Sequence, residues 1–146
     1  KTEGQLRGCI GHLVPKEPLV EAVVNNAVHA ALDDPRFSPV APAELDRIDI
    51  EISVLTVPQR LEFRTPEELL AKLRPRVDGV VLRVGRAQST YLPQVWDEIP
   101  DKETFLSELS RKAGLDRDAW KDPQAQVLVY QAEAFGERQR TTARNE

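Results

Sequence analysis

The hexapeptide Leu6-Arg7-Gly8-Cys9-Ile10-Gly11 holds the only cysteine among 146 residues, two positions after an arginine and between two glycines. In an extended chain alternate side chains share a face, so Arg7 and Cys9 point one way and Leu6 and Ile10 the other. A thiol beside a fixed positive charge is biased toward thiolate, its nucleophilic form. Gly8 and Gly11 leave bare backbone on either side, a pattern found at bulges and where a ligand or another backbone comes close. Arg7 suits a bidentate grip on a carboxylate or phosphate. Cys9 suits a nucleophile or a site of covalent modification. Packing is the competing explanation, because cysteine is among the most frequently buried residue types.

A second group of polar side chains comes from the stretch Arg47–Val57. Ile48, Ile50, Ile52 and Val54 alternate there with Asp49, Glu51 and Ser53, which predicts a strand with one apolar and one polar face. If this strand and the cysteine segment turn their polar faces to the same side, a thiol, a guanidinium and two carboxylates converge. Cys9 and Glu51 are then the candidate catalytic pair, with Glu51 as acid or base. Arg7, Gly8, Gly11, Asp49 and Ser53 are candidates for binding. The plainer alternative is a cross-strand ion pair between Arg7 and Glu51.

The elements that must position these groups follow the same periodicity rules. Pro18 opens a predicted helix in which Val20, Val23, Val24, Ala27, Val28, Ala31 and Leu32 recur at helical spacing. Glu21, Asn25, His29 and Asp33 form its polar stripe. The helix ends at Asp33-Asp34-Pro35, two acids where the macrodipole favours cations. Either this is a solvated turn before proline, or Asp34 and Arg36 orient each other at a site and join the binding candidates. Downstream, Thr65 to Glu68 reads as a capping box with Pro66 at the first helical position. Val80–Val84 and Ala87–Leu92 read as a hairpin through Gly85-Arg86. Gln94 and Trp96 fall in a loop or short helix, with Gln94 a further binding candidate. Asp101 caps the next predicted helix and Gly114 ends it. Val127–Phe135 reads as the last strand, and residues 136–146 as a disordered tail. Alternating strands interleaved with helices predict an α+β sandwich with an antiparallel or mixed sheet.

Composition removes several classes of function. The net charge of −4 and the absence of a dense basic run leave nucleic acid and anionic membranes without their electrostatic footprint. No apolar run approaches the roughly 20 residues of a membrane-spanning helix. One cysteine and two histidines, His12 and His29, do not make a structural zinc site. Strand alternation would place His12 opposite the thiol. No phosphate loop is present, so no cofactor is expected. A single cysteine suits a reducing compartment, and the cytoplasm is the expected location. The chain lacks methionine even at position 1, so Lys1 is not expected to be the natural start.

Five motifs in order resemble the AMMECR family: Leu6-Arg7-Gly8-Cys9-Ile10-Gly11, Asp34-Pro35-Arg36-Phe37, Ile50-Glu51-Ile52-Ser53-Val54-Leu55, Leu92-Pro93-Gln94-Val95-Trp96, and Asp101-Lys102-Glu103 through Lys112-Ala113-Gly114-Leu115. The resemblance implies one domain over residues 1–135, with part of its N-terminal region missing. It implies an α+β fold whose mainly antiparallel sheet is flanked by helices, with a smaller second lobe and a cleft between them. The family's activity is not established, so resemblance alone does not license an enzyme. Some relatives are fused to, or encoded beside, Memo-like and radical-SAM proteins, which makes these the implied protein partners. Two functions follow as expectations. In one, a small polar ligand is bound or transformed at a cleft centred on the cysteine motif. In the other, the domain is a non-catalytic regulatory or adaptor module that docks a partner protein through the same surface.

Overall fold

The computed structural model describes residues 1–137. Its chain divides into two compact units, Lys1–Val54 with the chain from Glu133 onward, and Leu55–Ala132. Both mix helices with strands, as the α+β reading requires.

The Leu55–Ala132 unit is built on a four-stranded antiparallel sheet. Its strands are β2 (Gln59–Arg60), β3 (Gly79–Val84), β4 (Ala87–Tyr91) and β5 (Gln126–Tyr130), in the order β2-β5-β3-β4. The expected hairpin forms: Val84 pairs with Ala87 across a two-residue turn in which Gly85 takes φ +58°, the left-handed region that glycine enters at little cost. Helix α2 (Pro66–Lys72) starts as its sequence predicts. Thr65 accepts the Glu68 amide, while the Glu68 side chain reaches back one residue further, to the Arg64 amide. Helix α3 (Lys102–Lys112) is capped by Asp101, which accepts the Thr104 amide, and ends at Gly114 with φ +77°.

Alternation along β3 and β5 sends Val80, Leu82 and Val127 into a core closed by Leu69, Leu73, Leu106, Leu109 and Trp120. At its centre Trp96 stacks on Phe105, ring centroids 3.6 Å apart. Burial obliges the indole N–H to find an acceptor, and Trp96 Nε1 donates to the Asp78 carbonyl at 2.7 Å. Trp96 is thus an apolar plug that also pins the entry to β3.

The Lys1–Val54 unit is organised differently. Helix α1 (Leu19–Leu32) begins one residue later than expected, with Pro18 as its cap. A single 3-10 turn spans Pro42–Arg47. Strand β1 (Glu51–Leu55) pairs with β6 (Ala132–Gly136) in a two-stranded sheet. Three expectations are corrected here. The Arg47–Val57 strand is shorter, because Arg47 closes the 3-10 turn and Ile48 makes only an isolated bridge to Thr2. The single last strand is two strands in different sheets, broken at Gln131, whose N–H donates to Thr56 Oγ1 and whose carbonyl accepts the Thr56 amide. Residues 6–11 are extended but belong to no sheet among the described residues, since the Cys9 amide is given to a side chain instead of a neighbouring strand. Gly136 ends β6, and the rest of the expected tail, 138–146, lies outside the described residues. Among the described residues no helix is long and apolar enough to cross a membrane.

Candidate functional site

The extended segment around Cys9 lies against α1. Gly8 is needed for that approach, because a Cβ there would collide with the Ala30 carbonyl oxygen. Four residues on, His12 Nδ1 is 3.4 Å from Asn26 Nδ2. The segment therefore runs antiparallel to the helix. Gly8 has a packing reason to be glycine, while Gly11 has open space around it and a backbone any residue adopts.

At the end of α1, Pro35 stops the helix and the chain turns, with the Phe37 amide donating to the Asp34 carbonyl. The turn buries Asp34, only 4 % exposed, and among the described residues of this unit no other is buried as deeply. Its carboxylate is fully used. Oδ2 accepts the Cys9 backbone N–H at 2.9 Å and Arg36 Nη2 at 2.7 Å. Oδ1 accepts the Arg36 backbone N–H and Nε, at 3.1 and 3.0 Å. The Arg36 guanidinium holds the Asp34 carboxyl far below the usual carboxylate range against the opposing effect of burial, and the backbone N–H of Cys9 assists. The two acids at the helix end are thereby explained: the second is a fixed acceptor that ties Cys9 to Arg36.

Arg36 completes the arrangement. Its side chain is 54 % exposed, its Nη2 also donates to the Cys9 carbonyl at 3.4 Å, and its guanidinium lies 5.5 Å from the Phe37 ring centroid. The Arg36 pKa is raised, chiefly by the hydrogen bonds to Asp34, with burial opposing and a smaller Coulombic and hydrogen-bonding attraction from the Cys9 side chain. Arg36 is the cation bonded to the backbone of the residue that bears the exposed thiol.

Arg7 is committed elsewhere, which corrects the expectation of a free anion grip. Its Nε and Nη2 form a fork on Glu44, at 2.9 and 3.1 Å, and Nη1 donates to the Ser38 carbonyl. Glu44 also accepts the Ala41 amide, and these donors, Arg7 first, lower its carboxyl to about 2. The Arg7–Glu44 fork and the Cys9 amide on Asp34 thus fasten the loop 34–44 to the cysteine segment. Sequence reasoning missed Glu44; its signal was a carboxylate two residues after Pro42, at the third position of a helical turn, where it can cap the preceding amide.

The expected convergence with β1 is not seen. Glu51 is ion-paired with Lys1 at the surface, and no hydrogen bond or ion pair joins it to Arg7 or Cys9 among the described residues. The reason is that the cysteine segment docks on α1 and loop 34–44 and not beside β1. Asp49 and Ser53 are half-buried and partnered. Gln94 is exposed in the 3-10 turn Pro93–Asp97, in the other unit. His12 reaches Asn26, not the thiol. Among the described residues no group of three or more acidic, histidine or cysteine side chains could hold a metal ion.

What remains is compact: an exposed thiol on a pinned backbone, beside a guanidinium held at one edge by a buried carboxylate. The Asp34–Arg36 pair is formally neutral. Such a site favours a polar ligand that accepts from the outward N–H groups of Arg36 over a strongly anionic one.

The AMMECR1 family profile matches residues 1–135. A protein of Methanothermobacter thermautotrophicus is 46 % identical over 136 residues, 92 % of this chain and 71 % of its own length. One from Thermofilum pendens is 46 % identical over 134 residues, 91 % of this chain and 63 % of its own. The crystal structure of the uncharacterised protein PH0010 of Pyrococcus horikoshii superposes with a TM-score of 0.87 at 41 % identity, covering 93 % of this chain and 70 % of that one. The chain thus spans roughly two thirds of the length of the relatives it matches.

Proposed function

This chain belongs to the AMMECR1 family, and we propose that it binds, or reacts covalently with, a small polar ligand at the surface formed by Cys9, Arg36 and Asp34. The observation that carries this reading is the double use of Asp34, which fixes the Cys9 backbone and the Arg36 guanidinium with one buried carboxylate. A solvated turn needs neither. In this reading Cys9 is the group presented to the ligand, and Arg36 is its electrostatic and hydrogen-bonding partner. Asp34 positions both without meeting the ligand. Arg7 and Gly8 shape the segment from behind. Glu51 pairs with Lys1 instead. A cytoplasmic setting, which keeps a lone thiol reduced, suits such a role.

A second reading has its own observation. Leu6 and Ile10, the aliphatic neighbours of the thiol, are 46 % and 37 % exposed, which fits an adaptor surface that docks a partner protein, with Memo-like and radical-SAM proteins as the candidates.

Iodoacetamide labelling of Cys9 across pH, combined with a metabolite thermal-shift screen, separates the two. The ligand reading expects labelling at neutral pH that slows when Arg36 is replaced by glutamine. It also expects a stabilising metabolite whose effect disappears in Arg36→Gln. Labelling indifferent to Arg36, with no metabolite shifting the melting curve, would leave the docking reading.

A further inference from the structure

The core of the Leu55–Ala132 unit takes Val80, Leu82 and Val127 from one face of the four-stranded sheet. Residues directly opposite in an antiparallel pair share a face, and successive residues alternate. The registers Arg60↔Leu128 and Arg83↔Gln126 therefore send Arg60, Arg83 and Gln126 to the other face. The two arginines stand on β2 and β3, the strands on either side of β5, two residues out of step. Both line an open hollow of about 460 Å³. A further wall is the turn into β5, which contributes Gln124. That turn is fixed from within, because Asp122 accepts the Gln124 amide on Oδ1 and the Ala125 amide on its carbonyl.

The chain carries a net charge of −4, yet among the described residues no carboxylate lines this hollow. Each guanidinium is steadied through Nε. Arg83 donates there to Gln88 Oε1, a neutral partner across the β3–β4 hairpin. Arg60 Nε lies 3.1 Å from Glu62 Oε1, with the two side chains 60 % and 76 % exposed. Water screens so exposed a pair, so Glu62 tethers Arg60 without cancelling its charge. Both arginines keep their terminal edge, Nη1 and Nη2, for a bidentate grip. An adjoining hollow of about 180 Å³ shares Arg60 and Gln126 but is a poorer anion site. Glu62 and Asp122 line it together with Arg64 and Lys121, so its charges answer one another.

We propose that the hollow between Arg60 and Arg83 binds a small polyanion, a ligand with separate anionic oxygens for the two guanidinium forks and polar groups for Gln124 and Gln126. A monocarboxylate satisfies only one fork. Phosphate esters or diphosphates and di- or tricarboxylates share the required chemistry. Glu62 competes with the ligand for Arg60 and holds the affinity down. The site lies wholly within the Leu55–Ala132 unit and does not depend on the reading of Cys9.

The test titrates the 146-residue chain with inorganic pyrophosphate and, separately, with citrate, by calorimetry at low ionic strength. Saturable binding of at least one of them is expected. It should be roughly tenfold weaker in Arg83→Gln and in Arg60→Gln, the loss typical of a hydrogen-bonding group that carries charge, and tighter in Glu62→Gln. Arg60 and Arg83 are exposed, so neither substitution is expected to disturb folding. Binding of pyrophosphate alone identifies phosphate chemistry, and binding of citrate alone identifies polycarboxylate chemistry. Arg117→Gln, which removes an exposed arginine of the same unit outside the hollow, should leave the affinity unchanged. The proposal is overturned if neither anion binds, or if Arg117→Gln weakens binding as much as Arg83→Gln does.

Discussion

Gly8 and Ala30 meet backbone to backbone: the extended cysteine segment passes so close to the last turns of α1 that no Cβ fits between Gly8 and the Ala30 carbonyl. The obstacle is main chain, which cannot swing aside as a flexible side chain would. Gly8→Ala is therefore expected to destabilise the fold by roughly 1–3 kcal/mol, the usual range for forced overpacking. Chemical denaturation checks it, with Gly11→Ala, where nothing lies within reach, as the near-neutral control.

Removing the Asp34 carboxylate leaves the Cys9 amide and the Arg36 guanidinium without their shared acceptor. Asp34→Ala is expected to lower the melting temperature by several degrees. Asp34→Asn keeps the shape but cannot accept from all the same donors, and it is expected to lie between the two. Calorimetry orders the three proteins; an Asp34→Ala protein as stable as wild type would show that the fork holds nothing in place.

Acid is expected to loosen the Lys1–Val54 unit at low pH. The Glu44 carboxyl is lowered from its ordinary 4.5 to about 2 by Arg7 and the Ala41 amide, and Asp34 is lowered further still. A carboxyl depressed on folding adds stability above its unfolded value, and that contribution is lost as pH falls through the folded one. Stability should therefore decline from about pH 4.5 down to about 2. Glu44→Gln should flatten the upper part of that decline while lowering the plateau above it. A denaturation series between pH 6 and 2 reads both effects.

Arg36→Gln is expected to change the rate of Cys9 alkylation several-fold, because its guanidinium bonds both the Cys9 carbonyl and the carboxylate that fixes the Cys9 amide. Arg7→Gln is expected to lower stability with little effect on that rate, because Arg7 spends its donors on Glu44 and Ser38. Stopped-flow labelling of the folded proteins compares them. An equal effect of both substitutions would contradict the division of roles.

In the other unit, Trp96→Ala is expected to cost about 3–5 kcal/mol, the range for deleting a buried aromatic. Trp96→Phe retains an aromatic ring against Phe105 but leaves the Asp78 carbonyl without the indole donor. Its smaller loss, about 1–3 kcal/mol, measures that hydrogen bond together with the lost ring volume.

Local structure was legible where a single side chain sets it. Thr65 and Asp101 fix helix starts through hydrogen bonds spanning three residues, Gly85 fixes a two-residue turn, and Trp96 and Phe105 are large enough that only a core accommodates them. The motif order also carried the family. Pairings between distant segments were a different matter. Asp34 and Arg36 were legible as a pair because they are two residues apart, but nothing in their spacing says that Cys9, 25 residues earlier, donates its amide to the same carboxylate. Alternation set Arg7 and Cys9 on one polar face and supplied Glu51 as a partner. Tertiary structure gave Arg7 to Glu44 and Glu51 to Lys1. The physical reason is that periodicity fixes which way a side chain points within its own element, while the charge it meets depends on which element docks there. In this chain that choice was made by Gly8 against Ala30, a close approach of two backbones that no pattern of side chains encodes.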